Sequence, residues 1–228
     1  FLGQDDNGRF SVYRTTSVVP TIISPEPINL RFAQATLPEE IVSYSYQEQG
    51  HVFVVFTGGG LETSLVYDLE TKLWHERAYL NPEGQYEQHL GYCCMSIFNK
   101  QLVGSRVDGK IYEMAMDIYS DNGDALLRER IYTHLVDENK RIRYNALNIG
   151  FETGTGLQNG QGQIPLVALQ LSKDGARTWS TSYTTTTGRV GAYTTQVNFR
   201  RLGIAQQMTF RIKISDPVKI SICGSYLT

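Results

Sequence analysis

The sequence predicts an all-β protein: partial kelch-like β-propeller blades over residues 1–120, then an antiparallel β-sandwich-like domain over residues 121–228. Three observations carry this. Tyr, Thr, Val and Ile are abundant while helical periodicity is scarce, so propensity and pattern agree on strands. The triplets Val12-Tyr13-Arg14, Val66-Tyr67-Asp68 and Ile111-Tyr112-Glu113 recur at intervals of 54 (13 to 67) and 45 (67 to 112), the range of propeller blades with insertions. The decapeptide LSKDGARTWS (171–180) has the S-x-D-x-x-x-T-W order of an Asp-box, a tight turn between two strands.

The middle blade is the most legible. HVFVVF (51–56) is a continuous apolar strand, GGG (58–60) a flexible turn, SLVYDL (64–69) the returning strand, and TKLWHERA (71–78) a further strand with Trp74 as a large core anchor. Its Y-D-x-x-T-x-x-W order is kelch-like. The next unit runs CCMSIF (93–98), a turn at Asn99-Lys100, QLVGSRV (101–107), a turn at Asp108-Gly109 and KIYEMA (110–115). Tyr13, Tyr67, Asp68, Trp74 and Tyr112 are the expected blade anchors, each Tyr ending one outward-running strand. Two or three blades do not close a propeller, for which about four is the usual minimum, so either further blades are expected upstream of Phe1, the favoured reading, or this is an open propeller fragment.

After the turn cluster Ser120-Asp121-Asn122-Gly123 the texture changes. RIRYNALNIGFE (141–152) reads as one long strand whose apolar parity switches, Ile142, Tyr144 and Ala146 giving way to Leu147, Ile149 and Phe151, as a β-bulge would produce. TGTGLQNGQGQ (153–163) is a Gly-rich polar loop. IPLVALQLS (164–172) pairs with the segment after the Asp-box, and MTFRIKIS (208–215) alternates Met208, Phe210, Ile212 and Ile214 with polar residues, the pattern of a half-buried strand.

Bulk properties narrow the classes of function. A chain of 228 residues buries about 70% of its unfolded surface without a disulfide or metal staple. No apolar run approaches the roughly 18 residues of a membrane-spanning helix, so no membrane partner is expected. Cys93, Cys94 and Cys223 form no even framework, and neighbours on a strand point to opposite faces, which favours a reducing compartment and a role as small apolar filler. The net charge of −2 conceals an asymmetry: residues 1–120 carry 8 Lys+Arg against 15 Asp+Glu (net −7), residues 121–228 carry 13 against 8 (net +5). Solvated surface accounts for this, and so would complementary partners or copies.

Catalytic chemistry finds little support. In the Asp-box, Ser172, Asp174 and Thr178 are placed to bond the turn's own backbone while Trp179 packs below it, and Ala176 stands where a second Gly is usual, with Gly175 beside it to supply the torsion. A sialidase-like or kelch-like propeller that binds or hydrolyses carbohydrate is the alternative reading, but hydrolysis needs converging arginines and a Tyr/Glu pair, and Arg200-Arg201 would point to opposite faces of a strand. His51, His75, His89 and His134 share no ligand spacing, so neither a metal nor any other cofactor is expected. The loops GGG and GTGLQNGQG lead into no helix that would receive a phosphate. Lys140-Arg141-Ile142-Arg143 and Arg200-Arg201 offer at most weak contact with a nucleic-acid backbone.

A series of phrases, in order along the chain, resembles the phage stabilisation protein family: Phe1–Gly8 (FLGQDDNG), Leu73–Ala78 (LWHERA), Leu102–Gly104 with Gly109–Glu113, Tyr119–Gly123 (YSDNG), Val197–Gly203 (VNFRRLG), Ser215–Val218 (SDPV) and Gly224–Leu227 (GSYL). These are the packaged-DNA stabilisation, or tail hub and nozzle, proteins of short-tailed bacteriophages, and the chain resembles their C-terminal part. The resemblance implies a non-enzymatic virion protein, made in the host bacterial cytoplasm and assembled as a hexamer-like homo-oligomeric ring beneath the portal and its adaptor ring. It further implies that the ring extends the channel, holds packaged DNA, touches transiting DNA only transiently and non-specifically, and carries tail needle and tailspike proteins. The basic face of the C-terminal sandwich and the loop 153–163 are the expected interface candidates.

Overall fold

In the computed structural model, which describes residues 1–228, every strand pairing is antiparallel and the chain divides into two compact units, Phe1–Met116 and Asp117–Thr228. The dividing point falls just ahead of the turn cluster at which the sequence changes texture.

The first unit is built from three separate sheets. β1 (Leu2–Gln4), β2 (Phe10–Arg14) and β3 (Thr21–Ile22) form the first. After α1 (Glu26–Ala33) and a 3-10 turn at Pro38–Glu40, β4 (Ile41–Glu48), β5 (His51–Gly58), β6 (Ser64–Asp68), β7 (Trp74–Leu80) and β8 (Tyr86–Gln88) make a five-stranded meander in chain order. β9 (Gly91–Ile97), β10 (Lys100–Ser105) and β11 (Ile111–Met114) form the third. The five-stranded sheet is covered on both faces, and this is why β6 is buried at every position instead of alternating. Val54, Phe56, Leu65 and Trp74 pack with Val12 of β2 and Phe32 of α1. On the opposite face Tyr46, Val55 and Val66 pack with Cys94 of β9 and Met114 of β11.

Local chemistry explains where the elements depart from the sequence reading. α1 was hidden because its eight residues are shorter than the window in which a 3.6-residue period emerges; only Asn29 and Phe32 are buried, and Ser24 fixes its start by donating to Asn29 Oδ1 at 2.6 Å while accepting from the Val12 N–H at 2.8 Å. β7 begins at Trp74, three residues later than expected, since a turn with Lys72 at φ 59° takes up Thr71 to Leu73. The turn between β9 and β10 is Phe98-Asn99, both at positive φ (53° and 58°), one residue earlier than expected. At 58–60 all three residues lie at positive φ (88°, 60° and 75°), which only glycine adopts without cost.

In the second unit a small hairpin, β12 (Ser120–Asp121) and β13 (Asp124–Ala125), precedes β14 (Arg128–Ile131), β15 (Leu135–Val136), β16 (Ile142–Phe151), β17 (Leu166–Ser172), β18 (Tyr183–Thr186), β19 (Val197–Ala205), β20 (Gln207–Ile214) and β21 (Ile222–Leu227). One sheet has the order β14-β20-β17-β18, with β15 also on β20; the other is β19-β16-β21. Their inner faces meet in a β-sandwich core that includes Leu147, Ile149, Leu169, Phe199, Met208, Phe210 and Ile212. The parity switch in β16 is a bulge. Asn145 N–H (2.7 Å) and Ala146 N–H (3.0 Å) both donate to the main-chain oxygen of Thr228, and on the other side of β16 the register passes from Tyr144↔Gly203 to Ala146↔Arg200, so β19 carries one extra residue and bulges as well.

Candidate functional site

The most organised polar constellations are two reverse turns closed by aspartates. In the Asp-box, the buried Ser172 hydroxyl donates to Asp174 Oδ1 at 2.7 Å and accepts the Ala176 N–H at 2.9 Å. The Asp174 carboxylate also receives the Arg177 N–H at 3.1 Å, the Thr178 N–H at 3.0 and 3.1 Å, and the Thr178 hydroxyl at 2.6 Å. These bonds, those from Thr178 first, hold the Asp174 carboxyl well below the usual carboxylate range. An acid so saturated by its own turn is a structural anion and does not serve proton transfer.

Two details differ from the sequence reading. Ala176 itself lies at φ 69°, next to Gly175 at φ 73°, so the glycine does not relieve the alanine of the left-handed torsion. Trp179 does not pack beneath the turn into the core. It is half-buried with the Arg211 guanidinium 4.0 Å from its ring centre, and Arg211 in turn donates to Gln170 Oε1 at 2.9 and 2.6 Å. The cause is parity: Arg211 alternates outward from Phe210 and Ile212, and the indole stacks on that outer face.

The second turn joins β6 to β7. Burial alone would raise the Asp68 carboxyl, but hydrogen bonds from the Thr71 hydroxyl (2.7 Å), the His51 ring (2.8 Å) and the Glu70 N–H (3.0 Å) lower it to about 2. Thus Asp68 and Thr71 of the kelch-like phrase close the turn. Trp74, the last member of the phrase, is half-buried, lies tilted against Phe56 and Tyr67, and donates its Nε1–H to the Ile23 carbonyl at 3.0 Å. The three tyrosines are not equivalent. Tyr67 is buried in the five-stranded sheet; Tyr13 lies half-buried under Phe1, their ring centres 5.4 Å apart; Tyr112 begins an edge strand, near its start and not its end, with its hydroxyl 3.4 Å from Asp108.

Sequence reasoning missed that the same device recurs. Asp5 accepts the Asn7 and Arg9 N–H groups at 3.0 and 2.8 Å, and Asp108 accepts the Lys110 N–H at 3.3 Å. The signal was an Asp one to three residues past a strand with a Gly close behind, present in QDDNG and VDGK.

The remaining candidates separate by environment. Cys93 and Cys223 are exposed, so they are not core filler, and all three cysteines are free. No group of three or more His, Cys, Asp or Glu side chains is disposed to hold a metal ion, and no helix is long and apolar enough to cross a membrane. Loop 153–163 is pinned: Thr155 donates to the Lys219 carbonyl at 2.9 Å, and Leu157 N–H to the Gly162 carbonyl at 2.8 Å. Arg200 and Arg201 do not alternate between faces. Arg201 sits in the bulge at φ 60°, and both side chains are exposed.

Comparison with known proteins gives one finding. Residues 128–228 match the family model described as Bacteriophage P22 Gp10, beta-sandwich. No curated protein matches the chain. The matched stretch runs from the first residue of β14 to the end of the chain and so takes in both sheets of the sandwich. The resemblance to phage tail proteins read from the sequence therefore holds over the C-terminal unit, whose sandwich is similar to that of a family of structural phage tail proteins.

Proposed function

From this C-terminal sandwich, we propose that the chain is part of a tail hub or nozzle ring of a short-tailed phage, a conduit wall that extends the portal channel and stabilises packaged DNA. The observation that carries the reading is the family match over residues 128–228. The work is mechanical. Two covered sheet systems give a stiff wall, and a ring of copies joined by repeated heterologous contacts closes it. In this reading the three sheets of the first unit are blades of an incomplete propeller, and the ring is a hexamer that docks on the portal-adaptor ring and holds needle and tailspike proteins. The predominance of acidic residues over 1–120 keeps phosphate contacts, which would brake sliding DNA, away from that half of the chain and leaves them to the basic residues 121–228. Synthesis in a reducing host cytoplasm agrees with three free cysteines.

The test is the mass of the purified protein in solution, alone and mixed with the portal-adaptor ring. A defined ring, or a stoichiometric complex with the adaptor, supports the reading; a monomer with no affinity for the adaptor overturns it.

A further inference from the structure

Five cations gather at the bulged end of the β16–β19 pair. Arg143 stands opposite Ile204, Arg200 opposite Ala146, and Arg201 projects from the bulge between them. Lys173 reaches in from the Asp-box loop, its Nζ 3.2 Å from where a Cβ on Gly203 would lie. Arg141 and Lys173 line a depression together with Asn139, Gln206 and Gln207. All five cations are exposed.

What sets this surface apart is the concentration of uncompensated charge. Several cations elsewhere in the unit are engaged, Lys213 by Glu129 at 3.0 Å, Lys219 by Glu152 at 2.9 Å and Arg128 by the carbonyls of Asp216 and Val218, while Arg177 and Arg189 stand unpaired singly. Arg141, Arg143, Lys173, Arg200 and Arg201 form no ion pair. Three side-chain carboxylates lie on the neighbouring segments. Glu138 is held by Lys140 at 2.5 Å and Asp174 is saturated within its own turn, which leaves Asp137 and the main-chain carboxylate of Thr228, bound to the N–H groups of Asn145 and Ala146, against five cations. Unpaired like charges at one sheet end repel one another and cost stability, so their concentration calls for an anionic counterpart outside the chain.

The chemistry of the lining narrows the counterpart. Arginine forks and side-chain amides are donors matched to phosphate oxygens. The depression has no aromatic residue on which an unpaired base would stack, which disfavours single strands. We infer that the bulged end of β16–β19, through Arg141, Arg143, Lys173, Arg200 and Arg201, binds the phosphodiester backbone of duplex DNA without reading its sequence. This deepens the conduit reading by naming the surface that meets the DNA, and it is tested without reference to ring assembly.

The experiment measures fluorescence anisotropy of a labelled random-sequence 30-base-pair duplex titrated with the purified chain at several salt concentrations between about 25 and 100 mM, a range in which phosphate contacts dominate. Engagement of most of the five cations gives a slope of log K against log salt of about −3 to −5, and the double variant Arg143→Glu/Arg201→Glu weakens binding at least about tenfold and flattens the slope by about 2. Arg189→Glu/Lys219→Glu, an equal charge change at the other end of β16 beside Glu152 and the loop 153–163, leaves binding within about twofold; circular dichroism establishes that each variant is folded, and Arg143→Gln/Arg201→Gln repeats the loss if the Glu variant is not. No binding at the lowest salt, an equal loss in the control variant, or polyglutamate binding as tightly as DNA would each overturn the assignment, the last in favour of an acidic protein surface. A negative result here leaves the adaptor-binding test of the conduit reading untouched.

Discussion

Asp174 and Thr178 are joined by both carboxylate oxygens: Oδ2 takes the threonine hydroxyl at 2.6 Å, and the two oxygens share its N–H at 3.0 and 3.1 Å. The aspartate exists in this form only when ionised. Its folded carboxyl lies below the unfolded value of 3.8, so the stabilisation is complete above about pH 4 and is lost as pH falls through the lower folded value. Asp174→Ala is therefore expected to lower the melting temperature of the second unit at pH 7 and to flatten its dependence on acid below pH 4. Asp174→Asn, which keeps one acceptor, loses less. Thermal melts followed by near-ultraviolet circular dichroism would check both; a variant that melts like the parent removes the turn from any structural role.

Ala176 tests the same turn from the backbone side. A non-glycine residue at φ 69° carries a cost of about 1–2 kcal/mol that glycine avoids, partly offset by the greater entropy glycine loses on folding. Ala176→Gly should thus stabilise the unit by about 0.5–1 kcal/mol in urea unfolding. Destabilisation would mean that the methyl group makes a contact worth more than the strain.

Much of this architecture was legible because strands report burial directly. The alternation in 208–215 and the parity switch in 141–152 predicted the half-buried strand β20 and the bulge in β16, since both follow from a side-chain period of two. What stayed hidden depended on tertiary partners. Phe32 makes α1 worth forming only because Phe56 and Val12 receive it, and Trp179 turns outward only because Arg211 lies across from Gln170. The basic stretches 140–143 and 200–201 were legible as weak backbone contacts, but their convergence with Lys173 was not: Arg143, Lys173 and Arg201 are distant in sequence, and the assumption of strict alternation at Arg200-Arg201 pointed that pair apart.

The hairpin β12–β13 holds a carboxyl with the opposite sign. Burial, reinforced by the charge of Asp124, raises the Asp121 carboxyl to about 6. A raised folded value means that its contribution to stability is present below the unfolded value of 3.8 and is lost as pH rises through about 6. Asp121→Asn is expected to gain on the order of 1 kcal/mol at pH 8, a figure reduced for partial solvent screening, and to show no gain at pH 4. Urea titrations at the two pH values give the comparison; equal effects at both would show that ionisation of Asp121 does not oppose folding.

His89 makes the first unit sensitive to mild acid. Its Nδ1 accepts the Gly91 N–H at 3.1 Å, which requires a neutral ring, and burial with the charges of Arg77 and Arg106 nearby lowers its value from 6.5 to about 4. A base whose folded value is depressed contributes stability that is complete above about 6.5 and lost as pH falls towards about 4, the window in which the unfolded chain takes up a proton that the folded chain refuses. The loss is on the order of 2 kcal/mol. His89→Asn places an amide oxygen close to the position of Nδ1 and can accept the same N–H without titrating. Between pH 7.5 and pH 5 the urea midpoint of the substituted protein should fall about half as far as that of the parent, because His75, which burial and Arg77 also depress from 6.5 to about 4, still takes up a proton on unfolding. If both proteins lose the same stability between those values, the proton is taken up at another site and His89 is simply a buried ring.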